Sequence, residues 1–144
     1  MSNQVVFQDG LKTYDIVNEK GTLLGQFTFN PADTNIAQRH AEVVKQLSEL
    51  QEKFRKSVKK DNSTFVEELK EIDAIVYEKM NYLLDADVAE TFFSIMGPFS
   101  PLSSGQFFVE MVVDAIGKVI SQETGARVKK VNSKIQKHTS KYHN

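Results

Sequence analysis

The stretch Phe27-Thr28-Phe29-Asn30-Pro31-Ala32-Asp33-Thr34-Asn35-Ile36-Ala37-Gln38-Arg39 divides the chain into a strand-rich part and a helical part. Phe27 and Phe29 lie two apart, as one face of a strand requires. Pro31 cannot donate to a sheet ladder and steers Asn30 away from helical backbone, so the strand stops there. Asp33, Thr34 and Asn35 all carry side-chain oxygens that accept the orphan amide protons of a starting helix, and Asn35 with Gln38 has capping-box spacing. Ile36 then opens an apolar stripe. The stretch reads as a strand-to-helix junction, with Phe29, Asn30, Pro31 and Asp33 as its structural hinge. Arg39, one turn into the helix, has no local role. We expect it to tie the hinge down, to Asp33 or to a strand carbonyl.

On the strand side, Gln4–Gln8 reads as a short strand, and Asp9-Gly10 is a hairpin dipeptide because both residues tolerate positive φ. Residues 11–18 follow with Tyr14 and Ile16 in phase. Glu19-Lys20-Gly21 makes a second turn, and Thr22–Phe29 returns with Gly25 marking a bulge or a close approach. A sheet this small must lay one face on helices.

The helical side opens with a helix over about 35–60, its stripe being Ile36, His40, Val43, Leu47, Leu50, Phe54 and Val58. Thr64-Phe65-Val66-Glu67 spells a capping box for a second helix to about Leu84. Joined by a short turn, the two pack antiparallel. A third helix starts near Asp87 and breaks at Gly97-Pro98-Phe99-Ser100-Pro101. Ser103–Gln106 offers a further capping box for a fourth, with Phe107, Phe108, Met111, Val112, Ala115, Val119 and Ile120 as its apolar positions and a stop at Gly125. The expected fold class is therefore α+β and mostly helical: a small N-terminal antiparallel β-meander packed on a bundle of about four helices. Residues 1–125 form one domain, with the meander over 1–30 and the helical body over 35–125. Residues 126–144 form a basic C-terminal tail, weakly helical or disordered.

Charge supports that division. The net charge is −1, but Arg127, Lys129, Lys130, Lys134, Lys137 and Lys141 stand in 126–144 with no acidic residue, leaving 12 basic against 19 acidic residues before them. The tail is either solvated or meets an acidic partner. Aromatic interleaving there is limited to Tyr142, which argues against a sequence-reading nucleic-acid module. With 144 residues, 40% hydrophobic and 26% charged, the chain is long enough for one proper core. It shows no apolar run long enough for a membrane span and no signal-peptide pattern. We expect a cytoplasmic protein.

Residue chemistry points away from catalysis. Cysteine is absent, which removes disulfides, thiol catalysis and cysteine-based zinc sites. His40 lies on the apolar stripe of the first helix, as a hydrogen-bonded core or boundary histidine would. His138 and His143, five apart, do not share a helical face. No phosphate loop or G-x-S-x-G elbow occurs. Asp85, Asp87 and Glu90 cluster, but helix capping explains them more simply than acid–base work. We expect no enzyme, cofactor or metal site.

The unusual feature is aromatic density, with five of ten phenylalanines between Phe92 and Phe108. Phe92, Phe93, Met96, Phe99, Phe107, Phe108 and Met111 either build the core of a helix–loop–helix corner or line an apolar groove for another protein's helix. Phe99, between two chain breakers, is the candidate for exposure.

The segment Phe27-x-Phe29-Asn30-Pro31-x-Asp33-x-Asn35-Ile36-x-x-Arg39 follows a short β-rich N-terminus. It precedes a charged helical body and a basic tail. In this it resembles the tail assembly chaperones of long-tailed phages and prophages of Gram-positive bacteria. The specific part covers about 13 residues, the general architecture most of the chain. The resemblance implies a non-enzymatic protein of the bacterial host cytoplasm. Such a protein binds the helical tape measure protein, keeps it soluble, helps recruit tail tube subunits, and leaves the finished particle. It also allows self-association and a longer frameshift product. No ligand-contacting residue of the family carries over. The competing readings are a small phage or mobile-element interaction domain with another partner and, third, a nucleic-acid-binding regulator, against which the acidic body argues.

Overall fold

The computed structural model describes residues 2–141, with side chains through Ile135. Tyr142, His143 and the His138 side chain lie outside the described residues. The elements are β1 (Lys12–Val17), β2 (Leu23–Phe29), α1 (Thr34–Ser57), α2 (Asn62–Leu84), α3 (Ala89–Phe93) and α4 (Phe108–Lys141). The fold is α+β and mostly helical.

β1 and β2 form an antiparallel hairpin running from Lys12↔Phe29 to Val17↔Leu23, with the register slipping between Ile16 and Val17. Its turn is built by Asn18, whose Oδ1 accepts from the amides of Lys20 and Thr22. Gly21 supplies the positive φ that a residue with a Cβ resists. Tyr14, Ile16, Phe27 and Phe29 lie on the face packed against the helical core. Gly25 allows the close approach expected of it, since a Cβ there would lie 3.1 Å from Thr91 Cγ2 of α3. The expected strand at Gln4–Gln8 does not form. Val5, Val6 and Phe7 are 77%, 90% and 83% exposed, and the sheet has two strands among the described residues. Asp9-Gly10 makes no hairpin either. The Asp9 carboxylate accepts from the Leu11 amide, and the Asp9 carbonyl is bound by Asn30 Nδ2.

The α1 cap is one of the three residues expected, whereas the α2 cap falls three residues before the one expected. Asp33 caps α1 by accepting from the Asn35 amide. Asp61 caps α2, taking the Thr64 amide on Oδ1 and the Thr64 hydroxyl on Oδ2, so Thr64 is a donor inside the first turn and not the cap. Arg39 is tied down, but to neither expected partner. Its Nε donates to the Leu83 carbonyl at 3.1 Å, because antiparallel packing of α1 on α2 brings the open C-terminal carbonyls of α2 beside it. Asp85 ends α2 in the left-handed conformation (φ 50), a position that short polar side chains tolerate. Asn81 Oδ1 then accepts from the amides of Val88 and Ala89, capping the five-residue α3 from outside.

The corner 94–107 overturns the expected exposure of Phe99. That ring is 4% exposed, stacked on Phe54 at 5.1 Å and edge-on to Phe107 at 5.6 Å. The cause is backbone accounting. A starting helix has free amides, and those of Phe108 and Val109 donate to the carbonyls of Ser100 and Pro98. These bonds fold the loop over the end of α1. The Ser103–Gln106 capping box is not formed; Glu110 reaches back to the Phe107 amide instead.

α4 packs on α1 through a face of Val109, Val112, Val113, Ile116 and Ile120, all buried. His40 holds the contact, its Nε2 3.0 Å from the Val113 carbonyl. Gly117 makes room, as a Cβ there would come within 2.8 Å of His40 Nε2. The expected stop at Gly125 does not occur: α4 continues to Lys141.

Two outcomes follow for stability. Phe99→Ala should cost about 3–5 kcal/mol in urea unfolding, as for other deleted core aromatics. Gly117→Ala, which relieves about 1 kcal/mol of intrinsic helix cost elsewhere, should destabilise wild type by displacing the His40 ring. In a His40→Ala background it should stabilise, and a double-mutant cycle reads the difference.

Candidate functional site

Helix α4 is apolar on more than one face. While its 109–113–116–120 face enters the core, Met111, Ala115 and Val119 look toward the hairpin. Between them and β1 lies a groove of about 610 Å³. Its floor is Phe27, Phe29, Phe92 and Phe108, with Ile95 and Met96 at one side. Three of these rings are contiguous: Phe27 lies 5.6 Å from Phe29 and 4.9 Å from Phe92. Six consecutive residues, Tyr14–Glu19, line the other wall. Four of them, Tyr14–Val17, belong to β1, whose side away from β2 pairs with no strand among the described residues, and Asn18 and Glu19 belong to its turn.

The residues expected to bind a partner divide sharply. Phe92, Phe93, Phe99 and Phe108 are buried core, and Phe107 is partly buried beneath the Arg55 guanidinium. Met96 and Met111, 38% and 42% exposed, face solvent on the groove. Of the two readings of the Phe-rich corner, core formation accounts for the aromatics and an open groove for the methionines.

A second uncovered surface is the far half of α4. Every residue from Val128 to Ile135 is exposed, so these turns project from the body. Val128, Val131 and Ile135 repeat at three and four, an apolar stripe on one helical face, between Lys129, Lys130 and Lys134. The root of this projection is Arg127, which behaves unlike a solvated tail residue. Its Nη1 donates to Asn30 Oδ1 and its Nη2 to the Gly10 carbonyl, each at 3.2 Å. Asn30 Nδ2 donates to the Asp9 carbonyl, and Asn30 Oδ1 also accepts from the Ala32 amide. One turn back, Glu123 pairs with Lys12 at 2.6 Å and lies 3.7 Å from the Arg127 Nε. The Lys12 hydrogen bond is the main reason the Glu123 carboxyl stays below its ordinary pKa. Burial, then the Glu123 charge, raises the nearby Tyr14 phenol.

Asp85, Asp87 and Glu90 are exposed, with Asp85 engaged as a helix end. Among the described residues no three His, Asp or Glu side chains are grouped as metal ligands would be, and no helix is long and apolar enough to cross a membrane. The missed residues are Arg127 and Asn30 as a pair and Val109, Val113 and Ile116 as core. Periodicity in α4 fits either face, and a contact across 97 residues leaves no local signal. Comparisons with protein-family models, curated proteins and solved structures found no match.

The clamp predicts a measurable link between the N-terminal segment and α4. Arg127→Met should lower stability by about 1.5–3 kcal/mol, the range for hydrogen bonds from a charged donor, and should raise hydrogen exchange at Leu11. Because the folded pKa of Glu123 is depressed, its contribution is present above the unfolded value and lost as pH falls through the folded one. The stability difference between wild type and Glu123→Gln should therefore close on acidification, as pH titrations of thermal unfolding will read.

Proposed function

We propose that the protein is a non-enzymatic tail assembly chaperone of a long-tailed phage or prophage, acting in the cytoplasm of the bacterial host. Its client is the helical tape measure protein, which it keeps soluble while tail tube subunits gather. The observation that carries this reading is the projecting half of α4. A helix standing clear of its own body with an apolar stripe lacks the tertiary burial from which most helices draw stability. A second amphipathic helix laid along Val128, Val131 and Ile135 supplies that burial. The surrounding lysines favour a client segment with acidic flanks, and the net-acidic body keeps the free chaperone soluble. The hinge 27–39 supports the same reading through its resemblance to that family, and the hinge residues themselves serve the fold.

Co-expression with tape measure segments tests the proposal. The expected result is a soluble complex that co-purifies with wild type and falls at least tenfold with Val131→Glu or Ile135→Glu. Both positions are exposed, so circular dichroism and the unfolding midpoint should not change. Absence of a complex with every tape measure segment, or equal capture by both variants, would leave the reading without support. In that case the runner-up, an interaction domain for another partner, takes its place.

A further inference from the structure

The groove beside β1 and the segment Gln4–Gln8 are each incomplete in the single chain. The groove offers an open strand edge above an apolar floor, and Tyr14 Oη beside it is buried without a hydrogen-bond partner. The segment is five uncharged residues of high β propensity, with Val5 and Phe7 on one face, and it pairs with no strand. We infer that Gln4–Gln8 of a second copy of this chain enters the groove as a third strand on the free edge of β1, and that the exchange is reciprocal.

The root of the segment explains why the partner is a second copy. Turning back along its own β1 would require the Asp9 carbonyl to leave Asn30 and the Gly10 carbonyl to leave Arg127. With both bonds kept, the segment is unpaired in its own chain, and Val5, Val6 and Phe7 stay exposed and available to another copy. In the groove, main-chain bonds to β1 supply register, while Val5 and Phe7 rest on Met111 and Ala115. The segment carries no charge into an apolar site, so no buried ion needs compensation. Two exchanged segments with the groove surface they cover bury roughly 1,200–1,600 Å², the size of a stable specific interface. A single unreciprocated segment would bury half as much. This inference concerns the free protein and does not rest on the tape measure reading, which uses a different surface.

The absence of native cysteine makes a clean test possible. Wild type should sediment as a dimer at tens of micromolar with an unfolding midpoint that rises with protein concentration, and Phe7→Lys as a monomer of unchanged circular dichroism and concentration-independent midpoint, since Phe7 is exposed within the chain. Mixing Val5→Cys chains with Ala115→Cys chains under mild oxidation should give a disulfide-linked heterodimer. A monomeric wild type would overturn the inference, as would a dimer indifferent to Phe7→Lys. So would a Val5→Cys/Ala115→Cys chain that closes on itself while the mixed single variants fail to cross-link. Client capture by Phe7→Lys, measured alongside, separates failure of this inference from failure of the chaperone reading.

Discussion

The side-chain amide of Asn30 is the contact on which the placement of the other parts depends. Its oxygen accepts from Ala32 and Arg127 and its nitrogen donates to the Asp9 carbonyl, so one residue holds the approach to β1, the end of β2 and the middle of α4. An Asn side chain offers both acceptor and donor capacity in one plane, and this geometry uses both. Asp or Gln would not serve equally: the first lacks the donor, and the second adds a rotatable bond. The coupling is physical in both directions. Arg127 keeps α4 seated on the hinge past Gly125, where helix propensity alone would let it fray, and the same guanidinium fixes the Gly10 carbonyl. The junction that separates the strand and helix parts of the chain is therefore also where both ends of the domain are joined.

From that point outward, packing is decided by which face of each helix finds a partner. α1 and α2 have single stripes, and their buried residues Ile36, Val43, Leu47, Leu50, Ile72, Val76, Met80 and Leu83 lie where 3.6-residue periodicity places them. α4 is different, because residues 107–120 are apolar nearly all round. Val109, Val113 and Ile116 take the core by virtue of the His40–Val113 contact and the space at Gly117. Met111 and Ala115 are left on the opposite side, beside a hairpin too narrow to cover them. The groove is thus a consequence of a two-stranded sheet lying on a helix with more apolar surface than two strands can hide.

How far this was legible in the sequence follows from the range of each interaction. Helices α1 and α2, the hairpin turn at Asn18–Thr22 and the boundary role of His40 rest on local pattern, and residues 12–93 largely obey it. Caps are legible to within a few residues: Asp33 is among the candidates for α1, and Asp61 takes the place of Thr64 at α2. Gln4–Gln8 has strand composition without a strand, because pairing is a property of the neighbour and the Asp9 carbonyl at its root is bound to the Asn30 side chain. Phe99 misled for a similar reason. Prolines and a glycine mark a loop, but the direction in which the loop folds is set by the free amides of Phe108 and Val109. The groove was partly legible through Met96 and Met111, whereas the projecting stripe of α4 was hidden behind Gly125, a helix stop that tertiary contacts override.

The two uncovered surfaces demand different occupants, and their chemistry keeps them apart. The stripe on α4 has its backbone satisfied within the helix, so it recognises side-chain shape and suits another helix. The edge of β1 has unpaired backbone groups, so it recognises an extended chain and would reject a helix whose own amides are already used. An open edge is also an aggregation liability, and the hairpin limits it at both ends. Lys12 is engaged by Glu123 at the start of β1, and the register slip after Ile16 twists the strand before its turn. A stretch of about Thr13 to Ile16 remains, enough for a short strand such as Gln4–Gln8 and too little to template a growing sheet. Because each chain has one free β1 edge and one such segment, mutual exchange satisfies both copies at once and leaves neither for a third chain. Closed pairing, not open-ended assembly, is the outcome that this geometry favours.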